Sequence, residues 1–433
     1  MEKTQLIRDW RGRPYLVGQS DRHLLGRSRA WMFWLPWAAM LAIAPLQYGY
    51  AAAAPALLAS RGGPVLSVLA PLAVWIVCQA TAAIPTIRLL RRGALGVRAA
   101  LWAGAALSAA GLLAVALPGG SPVAAAGYAL LGGVGGGLVY GVCTETVARW
   151  YPERPATRVG FVTGAYAYGA APLAVVAGLV PRHLGPAFAV SALVALAAVG
   201  TAAVFVRLPP PHWWPAGVDP RRHALDRLML RRTPPAVRQF SMGQALRTGA
   251  LSKLAAILVF AGAVSVFDVV AVASAGGAAP WAGLTLLITL NGAGRACAMV
   301  VSEVAGRRRV LAAVLAVLCA GQLPLAVGSA TGSAAALLIG AALAGAGGGA
   351  FYPLIAGLVR DFFGEERTAE IHGVVYSTKA VAGLIGVGLA AAAWTTASLP
   401  AAFTLAALVA ALTATASRNL RVPGRPATLP TGV

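Results

Sequence analysis

The feature that most limits what this chain can become is a series of long apolar stretches. A bilayer-spanning helix needs about 20 mainly apolar residues, and a ~19-residue hydropathy window identifies such helices. Twelve stretches qualify: 32–54, 65–87, 99–117, 123–148, 158–180, 186–206, 250–273, 280–302, 310–329, 333–358, 370–394 and 399–416. Most are separated by only a few polar, Gly or Pro residues, and Pro55 and Pro64 mark the junction of the first two. Inside hydrocarbon every backbone polar group must be satisfied within the structure, and runs of this length and continuity do so as helices. The expected fold class is therefore all-α: a polytopic membrane protein with twelve transmembrane helices.

Composition points the same way. The 433 residues are 58% hydrophobic and 11% charged, against about 25% charged residues in an ordinary soluble domain. That excludes a typical water-soluble protein, and the hydrophobicity excludes a disordered one. The four cysteines (Cys78, Cys143, Cys297 and Cys319) all fall inside apolar stretches. They read as small buried hydrophobes rather than as redox or disulfide residues. No metal-ligand cluster, nucleophile–base arrangement or phosphate loop is evident, so neither an enzyme nor a cofactor is expected.

The formal net charge of +22 would suggest nucleic acid in a soluble protein, but no nucleic-acid motif is present. Sorting the basic residues by segment gives them another meaning. If twelve spans alternate, 31 of the 35 Lys and Arg fall on one side of the membrane, while only Arg61 and Arg182 fall on the other. The positive-inside rule makes the crowded side cytoplasmic, with both termini there. The seven basic residues before the first span accompany no apolar core long enough for a signal peptide, so that span reads as an uncleaved anchor. The preference for Arg over Lys and the abundance of Ala and Gly fit a GC-rich bacterial source, and hence a bacterial inner (plasma) membrane.

The chain also repeats itself. GVGGGLVY at 133–140 returns as GAGGGAFY at 345–352, and ARWYPE at 148–153 stands against RDFFGE at 360–365, both at an offset of 212. The first copy ends span 4 and the second ends span 10, so the repeat unit is six spans. Two parallel six-helix repeats with a substrate between them is a known transporter plan, and the glycines permit close helix approach. The expected organisation is an N-terminal tail (1–30), a six-helix bundle (31–206), a cytoplasmic linker (207–249), a second bundle (250–417) and a C-terminal tail (418–433). The linker holds seven prolines and reads as having surface-lying helix around 221–232, its basic residues facing anionic lipid headgroups.

Two basic residues lie inside spans, and an intramembrane charge is a functional hypothesis by default. Arg295 is about 12 Å before the cytoplasmic end of span 8, and Lys379 about 13–14 Å into span 11. In a core about 30 Å thick both lie near the midplane. No acid shares their depth. Asp268 is placed about 26 Å into span 7, near the outer mouth, and Glu145 and Glu303 lie near the cytoplasmic edge. The missing counter-charge is then a bound anion. Arg forks two carboxylate oxygens and Lys supplies a compact point charge, so a small carboxylate fits, and structural pairing or snorkelling is the bland alternative. Asn291, Tyr376, Gln47, Tyr48, Tyr140, Tyr166 and Tyr352 are placed to complete the cavity or merely to pack. His372, Asp268 and Glu145 are the residues a proton-coupled mechanism would use. The competing readings are a solvated His372 at the cytoplasmic end and a Glu145–Arg149 pair at i,i+4.

These features resemble the major facilitator superfamily over essentially all twelve spans. Ser302-Glu303-Val304-Ala305-Gly306-Arg307-Arg308 is similar to its signature loop, with Glu in place of the usual Asp. The 2–3 loop, 91–98, keeps Gly and Arg but lacks the acid, which implies a weaker inter-helix latch in the first half. Within the superfamily, GGGLVYG…ARWYPER, NGAGR (291–295) and VVYSTKAVAGLIG (374–386) resemble the oxalate/formate antiporter family. That resemblance implies substrate binding by Arg295 and Lys379, with Gln47, Tyr48, Tyr140 and Tyr352 around them. Span 10 lacks the tryptophan of that family's cage, which leaves room for a carboxylate other than oxalate. The expected function is exchange of small organic anions by a monomer in a lipid bilayer. Proton-coupled carboxylate symport, drug export or a non-transporting receptor are the alternatives.

Overall fold

The structure is a computed structural model and describes residues 4–10, 12–232, 234–275 and 280–424. Lys3, Arg11 and Arg425, counted above among the basic residues, lie outside these. Among the described residues, twelve helices are long and apolar enough to cross a membrane. They are α1 (Trp31–Arg61), α2 (Leu66–Arg91), α3 (Val97–Ala116), α4 (Pro122–Trp150), α5 (Pro155–Leu179) and α6 (Pro181–Phe205) in the first half. The second half holds α7 (Gly249–Ala273), α8 (Pro280–Ala305), α9 (Arg307–Thr331), α10 (Ala334–Phe363), α11 (Thr368–Thr395) and α12 (Leu399–Arg418). The protein is a multi-pass membrane protein. The expected spans agree closely, with two main extensions: α1 continues through Pro55 to Arg61, and α10 runs to Phe363.

Breaks inside these helices follow local sequence. In α1 a 3-10 turn, Ala44–Leu46, separates two α segments; Pro45 lacks the N–H that an unbroken helix would need. In α11 the helix steps at Thr378 before resuming at Lys379. Both breaks fall beside the buried polar site described below.

The glycine repeat has a packing cause. A Cβ on Gly135 would lie 2.5 Å from the Ser108 amide of α3, and a Cβ on Gly347 would lie 2.5 Å from the Leu318 amide of α9. Gly137 packs on the Gln79 carbonyl of α2, and its counterpart Gly349 packs on Asn291 of α8. Each glycine and its copy 212 residues on thus meet equivalent helices, so the two halves are pseudo-repeats in packing as well as in sequence.

The face carrying the basic residues holds structure that the all-helical expectation missed. The N-terminal tail forms an antiparallel hairpin, β1 (Gln5–Arg8) and β2 (Pro14–Val17), with Leu6 opposite Leu16. Its turn is closed by Asp9, which accepts from the Arg13 amide at 3.0 Å, and Gly12 supplies the positive φ of 76° that the turn requires. The hairpin docks on the linker: the Leu16 amide donates to the His212 carbonyl at 2.8 Å, and the Trp214 amide donates to the Leu16 carbonyl at 3.0 Å. Hydrophobic periodicity does not reveal strands of only four residues. The linker carries the expected helix as two pieces, Pro220–Ala224 and Arg227–Arg232, and adds a capped turn, Met242–Leu246.

Ion pairs tie this face together. Arg91 holds Glu145 through two bonds, Nε to Oε1 at 2.9 Å and Nη2 to Oε2 at 3.0 Å. Arg149 joins the same carboxylate at 2.6 Å, as the i,i+4 spacing suggests. This corrects the expectation of a weak latch in the first half: the acid comes from α4 instead of from the 2–3 loop. In the second half Arg307 pairs with Asp361 of α10. The two latches have the same 54-residue separation. Glu303 does not close its own loop but crosses to the first half, accepting from Thr157 and lying 3.9 Å from Arg154. Gly306 takes a φ of 89° between α8 and α9, a value that favours glycine, and Arg308 is exposed.

Candidate functional site

Arg295 and Lys379 are buried between the halves, 3% and 4% exposed. The Arg295 guanidinium donates from Nη2 to the Tyr48 hydroxyl at 2.9 Å and to Asn291 Oδ1 at 3.0 Å, and from Nη1 to the Thr163 carbonyl at 3.0 Å. The Tyr352 ring lies 5.4 Å from its Cζ. Its Nε has no hydrogen-bond partner. The Lys379 ammonium donates to Gln79 Oε1 at 2.7 Å and to Gln47 Oε1 at 3.2 Å. The rings of Tyr166 and Tyr376 stand 5.7 and 5.8 Å from its Nζ.

A layer of tyrosines joins these two clusters. Tyr166 donates to Gln47 Oε1 at 2.9 Å and meets Tyr48 and Tyr140 edge-on. Tyr140 stacks on Tyr376 at 5.5 Å. Every residue expected around the two cations is therefore present: Gln47, Tyr48, Tyr140, Tyr166, Asn291, Tyr352 and Tyr376. They come from α1, α4, α5, α8, α10 and α11.

Three participants were not anticipated. Gln79 of α2 is the nearest partner of Lys379, Ser265 of α7 accepts from Asn291 Nδ2 at 3.4 Å, and the Thr163 carbonyl caps Arg295. The sequence did hold a signal for Gln79: it stands 212 residues before Asn291, the repeat offset, and both side chains hold a buried cation. Nothing local marks Thr163, because the group used is its backbone carbonyl.

The electrostatics are unusual. No carboxylate lies within ion-pair distance of either cation among the described residues. The partners of both are neutral oxygens and ring faces, and Arg295 Nε has no hydrogen-bond partner. Each charge at a helix centre costs at least ~2.5–3.5 kcal/mol, so two such residues in one layer amount to a stored demand for negative charge.

The residues named for proton coupling lie elsewhere. Asp268 lies toward the end of α7, as counted, but is closed off from solvent. It is 1% exposed and bonded to Gln322 of α9 at 2.8 Å. It sits one helical turn beyond Ser265, so only about 4.5 Å along α7 from the site layer. Helix counting gives its position along α7, five residues before the end at Ala273, but not its burial against α9. Glu145 is committed to the Arg91 and Arg149 latch. His372 is half-buried instead of solvated, with its ring 5.8 Å from that of Tyr376.

The two cations are deeply buried. A central void of about 10 Å³ is lined by residues including Gln47, Tyr48, Ser265 and Tyr352; this is room for one water. A much larger vestibule of about 860 Å³ opens on the opposite face from the basic one, between the ends of α1, α5, α7 and α8, and Arg182 lines it. In the site layer itself the halves touch closely: a Cβ on Gly164 of α5 would lie 2.5 Å from the Gly292 carbonyl of α8.

Twelve membrane-crossing helices in two packed pseudo-repeats around a closed polar layer define the major facilitator fold. Residues 273–432 match the family model described as Major Facilitator Superfamily. The structure is similar to the crystal structure of the human organic anion transporter MFSD10 (TETRAN), with a TM-score of 0.61 and 16% identity over 92% of this chain and 100% of that one. It is also similar to the E. coli fucose:proton symporter FucP, with a TM-score of 0.53 and 16% identity over 90% of this chain and 99% of that one. No curated protein matches the chain in sequence.

Proposed function

We propose that this protein is a secondary transporter of the major facilitator superfamily that exchanges small organic anions across a cell membrane. The observation that supports this reading is the pair of buried cations, Arg295 and Lys379, held only by neutral groups. A small mono- or dicarboxylate supplies the missing charge, forked by the guanidinium and met at its other end by the ammonium. Without it, the two cations resist closure of the cavity around them. With it, the repulsion is cancelled and the halves rock, so translocation follows occupancy and exchange is favoured over leak. The motifs around Arg295 and Lys379 resemble those of oxalate/formate antiporters, and the organic anion transporter among its structural neighbours accords with an anionic substrate. The basic face is cytoplasmic in this reading, with both termini there, and the transporter acts as a monomer.

Proton-coupled carboxylate symport is the second reading. His372 favours it, because it packs on Tyr376, the ring that faces Lys379, and so lies between the basic face and the site.

Reconstituted vesicles separate the two. Exchange predicts uptake of a labelled carboxylate that requires unlabelled carboxylate inside, and equal uptake with and without it refutes exchange. Uptake driven by a pH step alone, and lost in His372→Ala, selects symport instead.

A further inference from the structure

Asp268 and Gln322 form a buried pair with one bond made and one missing. Both are essentially inaccessible, at 1% and 0%. Gln322 Nε2 donates to Asp268 Oδ2 at 2.8 Å, and its second hydrogen reaches the Leu318 carbonyl at 3.3 Å. The remaining two oxygens, Asp268 Oδ1 and Gln322 Oε1, have no partner. The amide cannot be turned round to relieve this. Its oxygen would then face two acceptors, Asp268 Oδ2 and the Leu318 carbonyl.

We infer that Asp268 is a proton-binding site: its carboxyl is a neutral acid that donates Oδ1–H to Gln322 Oε1 while Oδ2 accepts from Gln322 Nε2. One added proton satisfies both orphaned oxygens and closes a cyclic acid–amide pair between α7 and α9. A carboxylate there would be an unpaired buried charge facing a second acceptor, an arrangement that proteins avoid by neutralising the group. Among the described residues no cation forms an ion pair with Asp268. Arg295 of α8 is engaged by Tyr48, Asn291 and Thr163, and Lys379 of α11 by Gln79 and Gln47. His372 lies tilted against Tyr376, and Arg418 lies in the last turn of α12 on the basic face. The consequence is that Asp268, the acid one turn from the site layer, contributes no negative charge to offset the two cations.

The test uses the full chain in lipid at neutral pH and needs no substrate, so its outcome is independent of the transport assay. Infrared spectra of the wild type should contain a protonated-carboxyl carbonyl band that moves on 13C-aspartate labelling and is missing from Asp268→Asn. Gln322→Leu should shift that band to higher frequency, since both bonds of the ring are lost. Asp268→Asn should leave the melting temperature unchanged, because asparagine donates from Nδ2 where the acid donated its proton, whereas Asp268→Leu should lower it. The inference is overturned if the asparagine variant loses only carboxylate bands, or if it melts as low as the leucine variant.

Discussion

Arg295 and Lys379, on different helices of the second half, bind consecutive residues of the first: Arg295 takes the Tyr48 hydroxyl and Lys379 takes Gln47 Oε1. Both contacts fall where Pro45 has broken α1. The break therefore couples the two cations to each other and to the opposite half, and any relative motion of the halves must exchange these bonds for others.

The two cations differ in what replacement does. Arg295 uses two nitrogens in three directions, and a lysine there makes at most part of that set. A hydrogen bond involving a charged group contributes about 1.5–3 kcal/mol, so Arg295→Lys should lower substrate affinity roughly tenfold or more while keeping the site's charge. Titration of carboxylate binding by thermal shift reads this directly. An unchanged midpoint would show that the guanidinium fork is not the recognition element.

Gln79 permits the converse experiment, supplying the missing charge from the protein. Its Oε1 is 2.7 Å from the Lys379 ammonium, so Gln79→Glu places a carboxylate there with no change of size. The substrate-free protein should become more stable, and stabilisation by added carboxylate should shrink. That shift scales as RT ln(1 + [L]/Kd) and so reports affinity. A variant that responds to carboxylate as the wild type does would remove Lys379 from the anion site.

Most of this site was legible in the sequence, for a physical reason. Charges are so costly in hydrocarbon that Arg295 and Lys379 stand out from their apolar surroundings, and a hydropathy window measures the property that builds the fold. What escaped were features whose cause is non-local. The partner of Arg91 was sought in its own loop and is Glu145 on α4. Thr163 acts through its backbone. The docking of the N-terminal hairpin on the linker joins Leu16 to His212 and Trp214, far away in sequence. Asp268 was visible as a buried charge, but its partner Gln322 carries no charge and so gives no comparable signal.

The approach of the two halves at α5 and α8 rests on glycine. Gly164 of α5 faces the Gly292 backbone, whereas Gly373 of α11 faces only the flexible side chain of Ile84. Backbone does not yield as a side-chain tip does, so Gly164→Val should hold the halves apart and abolish transport, while Gly373→Ala should cost only part of it. Cysteine pairs across α5 and α8 should cross-link in the wild type and fail to do so with Gly164→Val. Full cross-linking in that variant would show that the halves accommodate the bulk elsewhere.

The clasp on the basic face gives a pH dependence whose sign is fixed. Glu365 bonds to Arg13 of the N-terminal turn and to Arg360 of α10, each at 2.8 Å, and so links the tail of the first half to the second. Burial alone pushes its carboxyl up, but Arg360 and Arg13 outweigh that and hold it below the ordinary carboxylate value. A group whose folded pKa is depressed contributes stability above its unfolded value, about 4.3, and loses it as pH falls through the folded one. The difference in melting temperature between wild type and Glu365→Gln should therefore be constant from neutral pH down to about 5.5, then shrink below about 4.5. Arg13→Ala should show a smaller difference in the same window, because Arg360 remains. A difference that instead widens under acid would mean that Glu365 is protonated in the fold and that Arg13 and Arg360 are held there by something else.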